Sequence, residues 1–149
     1  MTPYTGGCQC GTVRYEINSS PILAYCCHCT DCQQQSSSAF GMSVWFPGSA
    51  FKLTSGSLKT WATYGDSGNK KSCTLCADCG TRVYHAFPSE SDTFSIKGGS
   101  LDRVKDITPI AHIWTKSAQP WLKERLAAEH CFEIEPKDFE ELIAEFNRQ

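Results

Sequence analysis

The ten cysteines of this 149-residue chain are the residues most able to do chemistry, and most of them lie in close groups. One residue separates Cys8 from Cys10, and Cys76 and Cys79 form a second close pair. Four thiolates make a closed tetrahedral zinc site with no corner for a substrate. Gly80, directly after Cys79, suits a tight turn whose backbone amides point at sulfur. We therefore predict a structural Zn²⁺ that ties the start of the chain to its middle, held by Cys8, Cys10, Cys76 and Cys79.

A second group has the sequence Cys27-His28-Cys29-Thr30-Asp31-Cys32. Three closely spaced thiolates can fill three corners of a tetrahedron and leave the fourth for water or substrate, which is typical of catalytic zinc. A further ligand would close the site and make it structural. The spacing leaves both arrangements open, because four other residues could supply that ligand: Cys26, His28, Cys73 and Cys131.

His112 stands in the otherwise apolar segment Ile110–Trp114. A single histidine in such a segment is commonly a core residue with its hydrogen bonds satisfied. It is also a candidate for moving a proton, because imidazole titrates near neutral pH. His28 is the alternative candidate, and the spacing does not decide between them.

Composition limits the classes of protein to consider. Hydrophobic residues are 40% of the chain, charged residues 20%, and the net charge is −2, with no basic block that would favour nucleic acid. No apolar run approaches the roughly 20 residues of a membrane span, and residues 1–7 do not resemble a signal peptide. We therefore expect a cytoplasmic protein, and in a reducing compartment dense cysteine favours metal binding over disulfides.

Short strands are the elements that must position these residues. In the segment 11–17, Val13, Tyr15 and Ile17 alternate on one face, which predicts a half-buried strand. Further strands are predicted at 39–46, 51–53, 58–64, 82–86, 93–96 and 110–114. Many short strands separated by turn residues indicate a mainly β fold.

The C-terminal region has a different pattern, with apolar residues at helical spacing: Phe139, Leu142, Ile143 and Phe146. This predicts one amphipathic helix over about 136–148, with Pro136 in its first turn. A short helical turn is expected near 121–126. With no internal repeat and no linker, residues 1–149 are interpreted as one domain.

Taken together, the motifs resemble the glutathione-dependent formaldehyde-activating enzyme family, also called the centromere protein V/GFA family. They cover residues 6 to about 122 in the family's order. The matching segments are Gly7–Gly11, Cys27–Cys32, Ala39–Gly41, Cys76–Gly80, Gly99–Asp102 and His112–Trp114.

The resemblance implies an Mss4-like fold, a β-rich tent around zinc. It implies two Zn²⁺ per chain: a structural ion on Cys8, Cys10, Cys76 and Cys79, and a second, labile ion at the active site on Cys27, Cys29 and Cys32. The activity it implies is a carbon–sulfur lyase type of reaction, in which a small thiol such as glutathione condenses with formaldehyde or a related aldehyde. His112, or else His28, would then move the proton.

One segment departs from the family pattern. After the third cysteine of the second group, family members usually show a basic residue followed by Ser-Gly, whereas the loop 33–38 here has neither a cation nor a glycine. Glutathione carries two carboxylates, which normally require cations or backbone amides. We therefore expect glutathione itself to bind weakly. The nearest basic candidates, Lys70, Lys71 and Arg82, are distant in sequence, so only the fold could bring them to the site.

Two other interpretations remain. The chain could be a non-enzymatic zinc module that binds a protein or a small ligand, as some Mss4-like relatives are. It could also be a redox sensor in which the cluster of Cys26, Cys27, Cys29 and Cys32 is oxidised and releases its metal.

Overall fold

Two β-sheets dominate the computed structural model, which describes residues 3–65, 68–87, 91–126 and 130–149. Within these ranges the smaller sheet is antiparallel and has the order β1 (Tyr4–Gly7), β2 (Arg14–Ile17), β5 (Phe51–Ser55). The larger sheet has the order β10 (Ala111–Ile113), β3 (Leu23–Cys27), β4 (Gly41–Pro47), β9 (Thr93–Lys97), β8 (Arg82–Ala86), β7 (Lys70–Cys76), β6 (Leu58–Tyr64). In the larger sheet β10 runs parallel to β3, and the other neighbouring strands are antiparallel. The predicted mainly β fold is confirmed.

The main hydrophobic core lies between the two sheets. The predicted alternation is confirmed, because Val13, Tyr15 and Ile17 are all buried. They belong to one apolar cluster with residues of the larger sheet, among them Val44, Phe46 and Ile96. One face of the larger sheet is therefore committed to the core, and the side chains that alternate with it point to the other face.

That other face, which we call the site face, carries polar side chains in two adjacent rows. In one row Ser43 of β4 pairs in register with Lys97 of β9. In the next row Ser95 of β9 lies between Trp45 of β4 and His85 of β8. A polar, buried sheet face is costly unless its groups have partners, and this face is where the candidate chemistry lies.

Three α-helices are described: α1 (Thr30–Ser36), α2 (Pro120–Lys123) and α3 (Glu140–Phe146). Single 3-10 turns occur at Gly48–Ala50, Gly98–Ser100, Val104–Asp106 and Thr115–Ser117. None of the helices in the described ranges has the length and apolar character to span a membrane.

The C-terminal helix is present but shorter than the predicted 136–148. Asp138 Oδ1 accepts a hydrogen bond of 2.8 Å from the Glu140 amide, so the side chain satisfies an amide at the start of α3 and Pro136 remains outside the helix. Leu142 is buried and packs in a second apolar cluster with Leu23 and Tyr25 of β3. The predicted turn near 121–126 corresponds to α2.

Most predicted strands match, and 58–64 and 82–86 match at both ends. The sequence patterns missed β1, β3, β7 and the helix α1. All five residues of β3 are buried, so it shows no apolar–polar alternation. Its Cys26 and Cys27 also belong to a cysteine-rich segment, whose cysteines we considered only as metal ligands and not as part of a strand.

Candidate metal centres and the adjoining cavity

Four cysteines from two distant segments meet at one point, here called the four-cysteine cluster. Cys8 and Cys10 follow β1, Cys76 ends β7, and Cys79 lies in the turn before β8. Their sulfur atoms all lie within 4.8 Å of one another, with Cys8 and Cys10 3.3 Å apart and Cys10 and Cys76 4.0 Å apart. Thiolates at ~2.3 Å from a tetrahedral Zn²⁺ would be ~3.8 Å apart, so the arrangement fits zinc. Hydrogen bonding with Thr81 lowers the pKa of the Cys79 thiol to about 5, which favours the thiolate form that metals bind.

A glycine follows each cysteine pair and lets the chain turn around the sulfur atoms. Gly11 has φ 81° and Gly80 has φ 74°, values in the left-handed region that favours glycine. After the first turn, the Val13 amide donates to Cys8 Sγ at 3.2 Å. Amides directed at sulfur stabilise a thiolate, so the backbone itself prepares this cluster for a cation.

Three further cysteines converge where β3 passes into α1, and we call them the three-cysteine cluster. Cys27 ends β3, Cys29 caps the N-terminus of α1, and Cys32 lies in its first turn. Cys29 Sγ accepts the Cys32 amide at 3.4 Å, so sulfur fills the capping role that an oxygen usually has. The three sulfur atoms lie within 4.8 Å of one another. Hydrogen bonds with the Cys27 and Cys29 thiols hold the pKa of Cys32 far below its ordinary value.

No fourth protein ligand joins this cluster within the described residues. Of the four candidates, Cys26 and His28 are the chain neighbours of Cys27 and are buried. Cys73 is buried on β7 with its thiol 3.8 Å from Gln35 Oε1, and Cys131 pairs with His112 at an isolated bridge. Of the two arrangements that the spacing left open, the geometry favours the one with a free corner.

A cavity of about 120 Å³, the cysteine cavity, adjoins the three-cysteine cluster. The site face, α1 and the segment after β10 enclose it. Its polar lining includes Ser43, Asp31, Lys71 and His85 besides the three cysteines. A ligand in this cavity would therefore contact both sulfur and the polar groups of the sheet.

Lys71 brings a positive charge to the cavity. Its side chain is 8% exposed, and its Nζ lies 3.5 Å from Oδ2 of Asp31, whose side chain is 46% exposed. The loop 33–38 has no cation, but the pairing of β7 with its neighbours places Lys71 opposite α1. The fold therefore brings to the cavity a cation that the loop lacks, and weak glutathione binding stays a prediction.

His85 also lines the cavity, and Lys97 positions it. Lys97 Nζ lies 2.6 Å from His85 Nδ1 and donates to Ser43 Oγ at 3.2 Å. Burial, then the charges of Lys97, Lys71 and Arg82, hold the pKa of His85 well below its usual value, so the imidazole is neutral at pH 7. When Lys97 is an ammonium it can only donate, so Nδ1 then accepts, and the proton of the neutral imidazole lies on Nε2 as an N–H donor for a ligand.

Lys97 itself is an unusual residue for a protein interior. Its side chain is buried, and no carboxylate pairs with it among the described residues. Burial is the main cause that lowers its pKa to about 7, whereas the negative charge of the Cys32 thiolate acts in the opposite direction. A buried lysine facing thiolates is a candidate functional residue by its environment.

The predicted candidate His112 does not line the cysteine cavity, although its neighbour Ile113 does. His112 Nδ1 lies 2.9 Å from His28 Nε2, and in register His112 pairs with Cys26. Strand alternation therefore directs His112 to the face opposite Ile113. A proton-transfer role for His112 stays a prediction, and His85 is the histidine in contact with the cavity.

Sequence reasoning missed Ser43, His85 and Lys97, and it left to the fold whether Lys71 reaches the site. A signal for His85 and Lys97 was present, because polar residues at every second position of short apolar strands indicate a buried polar face. What the pattern could not show is which strands become neighbours.

The fold and the two clusters define a β-rich protein with two candidate metal centres, one closed and one opening on a cavity. The family model "Glutathione-dependent formaldehyde-activating enzyme" matches residues 3–117, and the chain belongs to this family. A crystal structure of a Rhodobacter sphaeroides protein, determined by structural genomics, is similar in fold. It is 16% identical, with a TM-score of 0.53, and the match covers 86% of this chain and 98% of that one.

Proposed function

We propose that this protein is a zinc-dependent enzyme that joins a small thiol to an aldehyde, a reaction of the carbon–sulfur lyase class. The observation that carries the proposal is the position of the three-cysteine cluster, which meets a cavity that also presents His85 and Lys71. Membership of the formaldehyde-activating family supports the same chemistry.

The donor sets support zinc at both clusters. Four thiolates suit a closed structural site, and three thiolates with a free corner suit an exchangeable one. We therefore propose two Zn²⁺ per chain, with Cys27, Cys29 and Cys32 holding the second. When bound there, zinc supplies a soft Lewis acid that favours the thiolate form of a substrate.

His85 has the geometry to activate the aldehyde. As the sulfur–carbon bond forms, the electron pair of the carbonyl π bond moves to oxygen, and the Nε2–H of His85 is available to donate to that oxygen. The proton released when the thiol ionises balances the one that the new hydroxyl takes up, so the reaction needs no oxidant or reductant. Lys97 and Ser43 hold the imidazole orientation.

Lys71 has the position to bind a carboxylate of the thiol substrate. A ligand carboxylate can replace the exposed Asp31 as the partner of its ammonium, with little change in the local charge. Glutathione and smaller carboxylated thiols fit this description. The cavity is polar at this end, which is consistent with a charged substrate.

The test is exchange spectroscopy by NMR, because thiols add to aldehydes without a catalyst and only the exchange rate reports catalysis. Zinc-loaded protein should accelerate exchange between free formaldehyde and its glutathione adduct. The variant Cys29→Ser should reduce the exchange rate to the uncatalysed value. The matched control Cys131→Ser, outside both clusters, should keep the rate of the unmodified protein. No acceleration by fully zinc-loaded protein with any thiol would contradict the proposal and favour a non-enzymatic zinc module.

A further inference from the structure

A second compartment of about 240 Å³ adjoins the cysteine cavity, and we call it the aromatic compartment. The two share Tyr25, His85, Phe87 and Glu135 in their linings. His85 therefore faces both, and a ligand that passes His85 enters the aromatic compartment. The proposed addition of a thiol to formaldehyde has no use for this space.

Aromatic rings form one wall of the compartment. The Trp45 and Phe139 ring centroids are 4.8 Å apart, and Tyr25 contacts both rings at 5.5 and 6.0 Å. Trp45 Nε1 donates to the Tyr25 hydroxyl at 3.0 Å, which fixes the orientation of both rings. Rings held in this way offer flat apolar surface to a planar ligand.

Ser95 contributes an unsatisfied polar atom to the same space. The residue is 3% exposed, and its Oγ has no hydrogen-bond partner within the described structure. In register it lies between Trp45 and His85, and it lines the aromatic compartment. A buried hydroxyl without a partner costs free energy, and a ligand that offers it a polar atom recovers that cost.

The charges around the compartment favour an uncharged ligand. The positive charges of Lys97 and Lys71 act on His85 at the boundary and disfavour a cation there. Among the described residues that line the compartment there is no Lys or Arg to pair with an anion. A cavity of about 150 Å³ lined by apolar side chains is known to hold benzene, so 240 Å³ is sufficient for a substituted ring.

We propose that the aromatic compartment binds an uncharged planar substituent of the aldehyde, so that the carbonyl substrate is larger than formaldehyde. The order of groups supports this assignment, which rests on the proposed function. Sulfur belongs at the three-cysteine cluster and the carbonyl at His85, so the group beyond His85 is carried by the aldehyde. A benzaldehyde-like substrate with a polar atom for Ser95 fits these features.

The first experiment measures binding without turnover, with benzyl alcohol as an unreactive probe and ethanol as the control ligand. NMR titration of zinc-loaded protein should show saturable shifts for benzyl alcohol, with an affinity at least ~10-fold above that of ethanol. Ser95→Leu, which places a larger side chain in the aromatic compartment, should weaken benzyl alcohol binding by ~10-fold. Ser20→Leu, the same change at an exposed loop position, should have no effect. If Ser95→Leu does not fold, Phe139→Ala tests the wall instead and should also weaken binding.

The second experiment compares kcat/KM for benzaldehyde and formaldehyde with the same thiol. The ratio of the two should fall by ~10-fold in Ser95→Leu and stay constant in Ser20→Leu. Formaldehyde turnover without benzyl alcohol binding would overturn the compartment proposal and leave the proposed function standing. Benzyl alcohol binding that Ser95→Leu removes, with no turnover of any aldehyde, would overturn the proposed function and support the compartment as a ring-binding site.

Discussion

Lys97 Nζ lies 2.6 Å from Nδ1 of His85, and both groups are buried on the site face of the larger sheet. With Lys97 as an ammonium, which can only donate, the contact gives the two ring nitrogens different roles, since Nδ1 accepts and Nε2 carries the proton. It also brings a cation close to the three-cysteine cluster, whose Cys32 thiolate it stabilises electrostatically. One lysine thus links the thiolate cluster to the histidine of the cavity.

Replacing His85 and His112 in turn should show which of the two histidines acts on the substrate. His85→Gln should lower kcat/KM for aldehyde addition by about 100-fold, the typical loss when a positioned donor to a developing oxyanion is removed. His112→Gln should change the rate much less, because His112 contacts His28 rather than the cavity. Exchange kinetics at saturating zinc measure both variants. A large loss in His112→Gln with a normal rate in His85→Gln would instead support the role that the sequence predicts for His112.

Lys71→Met should affect thiols according to their charge. The variant loses the ammonium that faces Asp31, so KM for glutathione should rise by roughly 10-fold, in line with the loss of a charge-assisted hydrogen bond. KM for the neutral thiol 2-mercaptoethanol should stay within twofold. Lys70→Met is the matched control, since Lys70 is exposed and adjacent in β7. An equal rise in KM for both thiols would argue against carboxylate binding.

Cys79→Ser should damage folding, because the four-cysteine cluster connects the start of the chain to the end of β7. Structural zinc contributes folding free energy directly, and a loss of ~3 kcal/mol corresponds to roughly 10 °C in Tm. Thermal melts with zinc analysis give the measurement, and Cys131→Ser serves as the control. Wild-type Tm and zinc content in Cys79→Ser would contradict the structural assignment.

Graded chelation should remove the two zinc ions separately. The three-cysteine cluster has a free corner that admits competing ligands, so its ion should leave first, at about one zinc per chain, while circular dichroism stays unchanged. Cys29→Ser should show only the second, tighter step. Loss of all zinc in one step together with unfolding would show that the two clusters bind zinc with similar affinity.

Stability should fall as pH decreases below about 6.5, and His85 should contribute to that fall. Burial and nearby cations hold its folded-state pKa below the unfolded value near 6.5, so the unfolded state binds the proton more readily. The contribution is fully present above pH 6.5 and is lost progressively as the solution becomes more acidic. Urea unfolding between pH 7.5 and 5 should therefore show a weaker pH dependence for His85→Gln than for the wild type. Parallel curves for the two proteins would exclude His85 as the source.

The sequence alone determined the cysteine clusters, because their cysteines occur in local groups. Cysteines two or three residues apart can direct their sulfur atoms at the same ion. It also predicted the mainly β fold and the C-terminal helix, since periodicity follows from local geometry. Only the tertiary structure decided which polar groups meet at the three-cysteine cluster. His85 and Lys97 lie on strands joined in an order set by packing of the core, and Lys71 reaches Asp31 across a large sequence separation. Such neighbours depend on the register and order of distant strands, which no local pattern encodes, and this is why the sequence did not indicate that His85 lines the cavity.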